Sequence, residues 1–273
     1  TRHYNVIYIV PYSGMSLKYI FGNVMEYIFG NQGKLAFTKG VMGLKDSIVA
    51  ATIKTYQQVG TDFKPTPAKS HYTYNLRDVS KVFQGINKTS PRAITNENDM
   101  IKLWGHECLR VFQDRLLSIE DRQKFDRLIT IKIKEHFKKD WDNLVEVKPL
   151  LFASFCPLIH PEGDESKKPF NDVYCELTKR DKVKKKCEDE LISFNAMFRS
   201  KKMDLVLFTD AIEHIVKIHR VITTQFGHAL LVGVGGSGRK SVSELATFMA
   251  AYEIMSLEMT KGYDMVQWRD DMR

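Results

Sequence analysis

The sequence predicts an α/β fold joined to α structure: a mostly helical subdomain, then the start of a parallel-sheet subdomain. Three observations carry this. Apolar residues recur at helical spacing through much of the stretch from Ser16 to Lys139. Further on, the apolar run Ala229 to Val232 enters a glycine-rich turn, and a helix-like run, Ser241 to Ala251, leaves it. Between the two, Pro149, Pro157 and Pro161 mark a shift in composition over Val147 to Gly163, which divides the chain into 1–148 and 149–273.

The elements follow in order. Val6 to Val10 is an apolar strand candidate, and Pro11 to Gly14 is a turn. Ser16 to Phe29 reads as a helix because Leu17, Ile20, Phe21, Val24 and Ile28 fall near one face, and Leu44 to Val59 reads likewise. Pro65 and Pro67 break the chain. Asn75 caps a helix from Leu76 to about Ile86, ending near Gly85, and the polar stretch 87–98 is a loop. A helical pair follows, Asp99 to Leu116 and Glu120 to Lys139. Its Glu107, Arg110 and Asp114 stand three and four residues apart, as helix-surface pairs do. Asn171 to Phe198 and Asp204 to Ile222 are further helices, and Tyr252 to Met259 is a second strand for the later part. His214 and His219, five apart, do not share a helix face and read as surface or interface histidines, not as a metal pair.

Composition narrows the function. The 41 Lys+Arg against 33 Asp+Glu give a net charge of +8, which permits contact with acidic surfaces. The basic runs Lys132 to Lys134, Lys138 to Lys139 and Lys179 to Lys186 read as solvated helix faces; nothing resembles a nucleic-acid module with interleaved aromatics, so no nucleic-acid partner is expected. Cys108, Cys156, Cys175 and Cys187 contain no C-x-x-C pair, so reduced thiols are expected and a zinc site is not. No apolar run approaches the roughly 20 residues that cross a membrane, and none is expected to be bound. The opening Thr1 without Met, and the loop's late position, lead to the expectation of a piece of a longer protein.

The turn itself carries chemistry. Gly227 to Ser241 reads GHALLVGVGGSGRKS. The phosphate-loop pattern G-x-x-x-x-G-K-[ST] uses glycines to turn backbone N–H groups around phosphate oxygens, at the positive end of the following helix. Gly233, Val234, Gly235, Gly236, Ser237 and Gly238 fit its glycine frame. Arg239 then stands where lysine belongs and Lys240 where Ser/Thr belongs, with Ser241 one residue late. Arg239 can hold phosphate as a fork. Lys240 cannot ligate a metal ion, and Ser241 reaches Mg2+ only if the loop shifts. The expected ligand is ATP or ADP, bound weakly or without hydrolysis, with Mg2+ not expected in its usual position. Gly233, Gly235 and Gly238 also match the dinucleotide pattern G-x-G-x-x-G, with Glu258 as its ribose-binding acid. A dinucleotide-binding enzyme therefore stays as an alternative, as does a structural spacer with an empty loop.

Taken together, these segments resemble an axonemal dynein heavy chain. The specific stretches are His71 to Gly85 (HYTYNLRDVSKVFQG), Leu103 to Leu116 (LWGHECLRVFQDRL), Gly227 to Ser241, and Lys261 to Tyr263 with Trp268 to Asp271. The resemblance covers essentially the whole chain. It implies the late third AAA+ module with its helical lid in 1–148, and a linker with the N-terminal part of the fourth AAA+ module in 149–273.

By resemblance, Arg77 is the lid arginine that contacts nucleotide phosphate. A guanidinium at a helix start can couple lid angle to nucleotide state; a salt bridge to Asp78 is the structural alternative. The resemblance implies, for the whole heavy chain, an ATP-driven, microtubule minus-end-directed motor of the ciliary or flagellar axoneme. No catalysis is expected from these residues alone. The partners it implies are neighbouring AAA+ modules of the same chain, microtubules through a coiled-coil stalk outside this segment, dynein intermediate and light chains and other axonemal proteins.

Overall fold

The computed structural model describes residues 3–30, 36–156, 173–257 and 262–272. Pro157, Pro161, Asn171, Glu258, Met259 and Lys261 lie outside them. Two compact units divide the chain, Thr1–Thr178 and Lys179–Arg273.

The first unit is a helical bundle. Helix α1 (Gly14–Gly30) buries Leu17, Phe21, Met25 and Ile28, a stripe at three- and four-residue spacing. A short α2 (Lys39–Gly43) leads into α3 (Lys45–Asp62), which packs against α1. Helix α4 (Leu76–Asn87) starts at the foreseen cap: Asn75 Oδ1 accepts from the chain, and the Asp78 carboxylate reaches back to the Asn75 N–H at 3.0 Å. A second capping box, Asn96 with Asp99, opens α5 (Glu97–Cys108). Phe21 of α1 stacks on Phe83 of α4 at 4.9 Å between ring centroids. Trp104 of α5 is fully buried and donates its indole N–H to Thr52 Oγ1 at 2.8 Å.

Helix α5 does not continue as one α-helix to Leu116. Leu109–Gln113 is a π-helical turn, closed by Asp114 N–H donating to the Leu109 carbonyl. Such a turn inserts one residue and swings the following side chains by about 100°. Then come α6 (Ile119–Phe137), packed on α3, and α7 (Trp141–Leu144). A small antiparallel ladder pairs β1 (Phe152–Ala153) with β2 (Cys175–Glu176). Leu150, Phe152 and Tyr174 join the core of the first unit. The compact unit therefore runs on to Thr178, beyond the division read at 148/149.

The second unit holds α8 (Arg180–Met197), α9 (Thr209–Ile222), α10 (Arg239–Met249) and the short α11 (Met265–Asp271). Its core buries Ile215 and Val216 of α9 and Leu245 and Ala246 of α10, helices that pack together, with Phe194 of α8 edge-on to Phe248 at 5.4 Å. Helix α8 begins at Arg180, not at Asn171, because Cys175 and Glu176 are taken up by the ladder of the first unit.

Three expected strands do not form ladders among the described residues. Val6 to Val10 are 67–82% exposed, Leu230 and Val232 are 91% and 85% exposed, and 252–257 is irregular. A parallel strand is buried on both faces and bonded by neighbours, and no described segment supplies such neighbours here.

Glycine spacing gives a test of the first unit. A Cβ on Gly85 would overlap the buried Glu107 carboxylate, whereas one on Gly60 of α3 meets nothing. Gly85→Ala is expected to cost about 2–3 kcal/mol. Gly60→Ala should gain about 0.5–1 kcal/mol, both measured by denaturant unfolding.

Candidate functional site

In the second unit, the glycine-rich turn stands ahead of an α-helix, as the motif requires. Gly236 and Gly238 have φ of +76° and +75°, the left-handed conformation that glycine alone adopts freely. Gly238 is the N-cap of α10, and its carbonyl accepts the first helical bond, from Val242 N–H at 2.9 Å. The preceding N–H groups open the helix at its positive end. Residues 232–237 are exposed.

Arg239 opens α10 two positions before the Ser241 start read from the sequence. Its guanidinium folds back on the loop, where Nη2 donates to the Val234 carbonyl at 3.2 Å. A Cβ at Gly233 would press on Ser237 Oγ at 3.1 Å, while the Arg239 side chain would stand at ordinary contact distance. An exposed hydrogen bond of this kind contributes about 1 kcal/mol, so Arg239 can exchange it for a stronger acceptor. Lys240 is exposed and offers no lone pair at the position where the motif needs an oxygen. Ser241, half-buried, carries that oxygen one residue further along the helix.

Arg77, the remaining candidate, lies in the first unit, so the structure does not gather all the candidate residues in one compact unit. Arg77 sits at the second position of α4, its N–H held by Asn75 Oδ1 at 2.9 Å and its side chain exposed. The structural alternative for it was an ion pair with Asp78. That carboxylate is committed elsewhere: Oδ1 takes Arg115 Nη2 at 2.8 Å and Lys81 Nζ at 3.4 Å, while Oδ2 takes the Asn75 N–H. Asp78 is only 3% exposed. Burial opposes its ionisation, but the Arg115 and Asn75 hydrogen bonds and the Arg115 and Lys81 charges outweigh it, so its carboxyl lies below the ordinary 3.8.

Two side chains the sequence reading treated as surface groups are not at the surface. Glu107 is 0% exposed; it accepts from Arg110 Nε and from the Tyr174 hydroxyl, each at 2.7 Å. Arg110 also donates to the Lys81 carbonyl at 2.8 Å, tying α4 to the same cluster. The Glu107–Arg110 spacing was legible, but its burial was not, since it depends on the notch at Gly85 and on Tyr174 from a distant segment. His219, expected at a surface or interface, is buried at 4% among the helices of the second unit. Glu258, the acid of the dinucleotide reading, lies outside the described residues.

Comparison with known proteins agrees with both halves of this layout. Residues 48–147 match the family model of the AAA+ lid domain, and 203–273 match that of the P-loop containing dynein motor region D4. The chain is 37% identical over its full length to dynein axonemal heavy chain 1 of Mus musculus, of which it spans 6%. It is 35% identical over 98% of its length to dynein axonemal heavy chain 10 of Homo sapiens, again 6% of that protein. Against dynein axonemal heavy chain 3 of Homo sapiens the identity is 36% over the full chain and 7% of the relative. The chain thus spans a small fraction of the curated relatives it matches.

The Asp78 site makes a pH-dependent prediction. A carboxyl held below its unfolded value, near 3.9, stabilises the fold above that pH and loses the contribution as pH falls through the folded value. Asp78→Asn should lower stability at neutral pH by about 1.5–3 kcal/mol. The deficit should shrink as pH drops from about 5 to about 3, followed by thermal melting of both proteins. A constant deficit across that range would refute the role of the charge.

Proposed function

The chain is similar along its whole length to axonemal dynein heavy chains and combines an AAA+ lid with the start of a dynein motor P-loop region, and from this premise we propose that it is a ring segment carrying a regulatory nucleotide site. In this reading the first unit closes the third AAA+ module and the second unit opens the fourth. The whole heavy chain would be a microtubule minus-end-directed ATPase of the cilium or flagellum. Its partners would be the adjoining modules, microtubules through a stalk, and intermediate and light chains of the axoneme.

The observation that carries the regulatory reading is the Arg239-Lys240 pair at the head of α10. The loop's backbone suits phosphate: two left-handed glycines and an open helix N-terminus present N–H groups to an anion. Arg239, now on the Val234 carbonyl, would turn to the β- and γ-phosphates of ATP or the phosphates of ADP. The donor set does not fit Mg2+ in the usual place, because the side chain at 240 is an ammonium. Binding without an in-place metal favours occupancy over turnover.

Arg77 is the second part of the reading. Exposed at the start of α4, and not paired with Asp78, it would contact a phosphate bound by its own module and report the γ-phosphate through the lid. The loop at 233–241 and Arg77 would then serve two different sites.

The test is made on the whole motor. Arg239→Ala is expected to leave basal ATPase within about twofold while altering microtubule gliding velocity. A fall in basal ATPase on the order of tenfold or more would refute the regulatory assignment. A density map of the motor in Mg-ATP with nothing in the loop would make the segment a structural strut.

A further inference from the structure

We propose that Arg115 is a positioning residue for Arg77, fixing the first turn of α4 from which Arg77 projects; this rests on the reading of Arg77 as a phosphate-contacting residue. Arg77 leaves the helix one residue before Asp78, and its N–H is bonded to Asn75. Its reach is therefore set by the geometry of residues 75–78. A capping box alone stabilises a helix start only modestly, and helix ends fray. This start is held by much more.

The hold comes from the far side of the π-turn. Arg115 is 37 residues beyond Asp78, and the two ends of its fork grip two points: Nη2 on Asp78 Oδ1 and Nη1 on the Thr73 carbonyl, both at 2.8 Å. The guanidinium lies over the Tyr74 ring, 4.8 Å from its centroid, and the Tyr74 hydroxyl donates to the Phe112 carbonyl at 3.2 Å. The His71 ring nitrogen Nε2 stands 3.0 Å from the Arg115 carbonyl oxygen. The turn entering α4 is thus fastened to 112–115 along its length.

The chemistry demands arginine. Asp78 is buried, so its charge needs a close and permanent partner. Lys81 stands further off, at 3.4 Å, with a side chain 54% exposed, and contributes little of the hold. A lysine at 115 would supply charge but not two divergent donors in one plane, nor the same stacking on Tyr74. The π-turn matters too, because it re-aims the residues after Gln113 relative to the face that buries Trp104 and Glu107.

The experiment uses the whole heavy-chain motor with the phosphate-loop lysines of its other nucleotide modules replaced, so that binding reports the module that Arg77 serves. Mg-ATPγS and Mg-ADP affinities are compared. Arg77→Ala is expected to weaken ATPγS about 5–20-fold and ADP less than about twofold. Arg115→Ala should reproduce this ATPγS-selective loss at about 5–10-fold, and Arg115→Lys should show about 2–4-fold. The double variant Arg77→Ala, Arg115→Ala should bind ATPγS no more weakly than Arg77→Ala, within about twofold.

Each other outcome has one meaning. Unselective losses with Arg115→Ala, additive losses in the double variant, or no loss with Arg115→Ala overturn the positioning role and leave Arg77 standing. No selective loss with Arg77→Ala overturns the reading of Arg77 and this inference with it. If Arg115→Ala yields no folded motor, Arg115→Lys decides: wild-type affinities overturn the proposal, and a selective loss absent on the Arg77→Ala background supports it.

Discussion

A buried negative charge organises the first unit. Glu107 has no access to water, and an ionised carboxylate in such a place is tolerable only when closely paired and hydrogen-bonded. Its partners come from three places: Arg110 on the π-turn, Tyr174 beside β2, and the space left by Gly85 on α4. Losing one partner of a buried pair typically costs about 3–5 kcal/mol. The arrangement therefore ties α4, α5 and the β1–β2 segment into one body. Lys102 adds a second link between α5 and β2, through Glu176 at 3.1 Å. Burial works against the charge on Arg110, yet the Glu107 carboxylate with Tyr174 and Asp114 together outweigh it, so the guanidinium stays protonated.

The same principle operates at Asp78, a few ångströms of backbone from the exposed Arg77. Both acids use an arginine from the stretch where α5 gives way to the π-turn and its exit. A π-turn is not a comfortable hydrogen-bond geometry, and it recurs where a side chain must be re-aimed for function. Here it separates a helix whose face fills the core from Arg115, which braces the turn entering α4. Stability and the proposed sensing are thus built on one interruption of one helix.

What was legible in the sequence follows from range. Helix α4 and its cap were readable because Asn75 and Asp78 act over three residues, and α1 because its apolar stripe repeats within a few turns. The left-handed loop positions were implied by glycines 236 and 238 themselves. Long-range facts were not readable. Glu107 and Arg110 have the spacing of a solvated pair, and nothing local announces Tyr174 across 67 residues. Leu109–Gln113 has no composition that betrays a π-turn. Val6 to Val10 and Ala229 to Val232 have strand composition, but a parallel strand exists only with neighbours, so their pattern did not become a ladder.

The loop and the lid place their arginines in opposite situations, and that contrast bears on what each can do. Arg239 is spent on a carbonyl of its own loop, a contact weak enough to exchange for phosphate, and the helix behind it supplies the remaining N–H donors. Arg77 has no such local acceptor in Asp78, because Arg115 and Asn75 have taken it. An arginine denied its nearest carboxylate keeps its fork available for an anion from outside the turn. On the proposed reading, a loop without a well-placed metal oxygen and an Arg77 not taken up by Asp78 would both favour reporting which nucleotide is bound over consuming it.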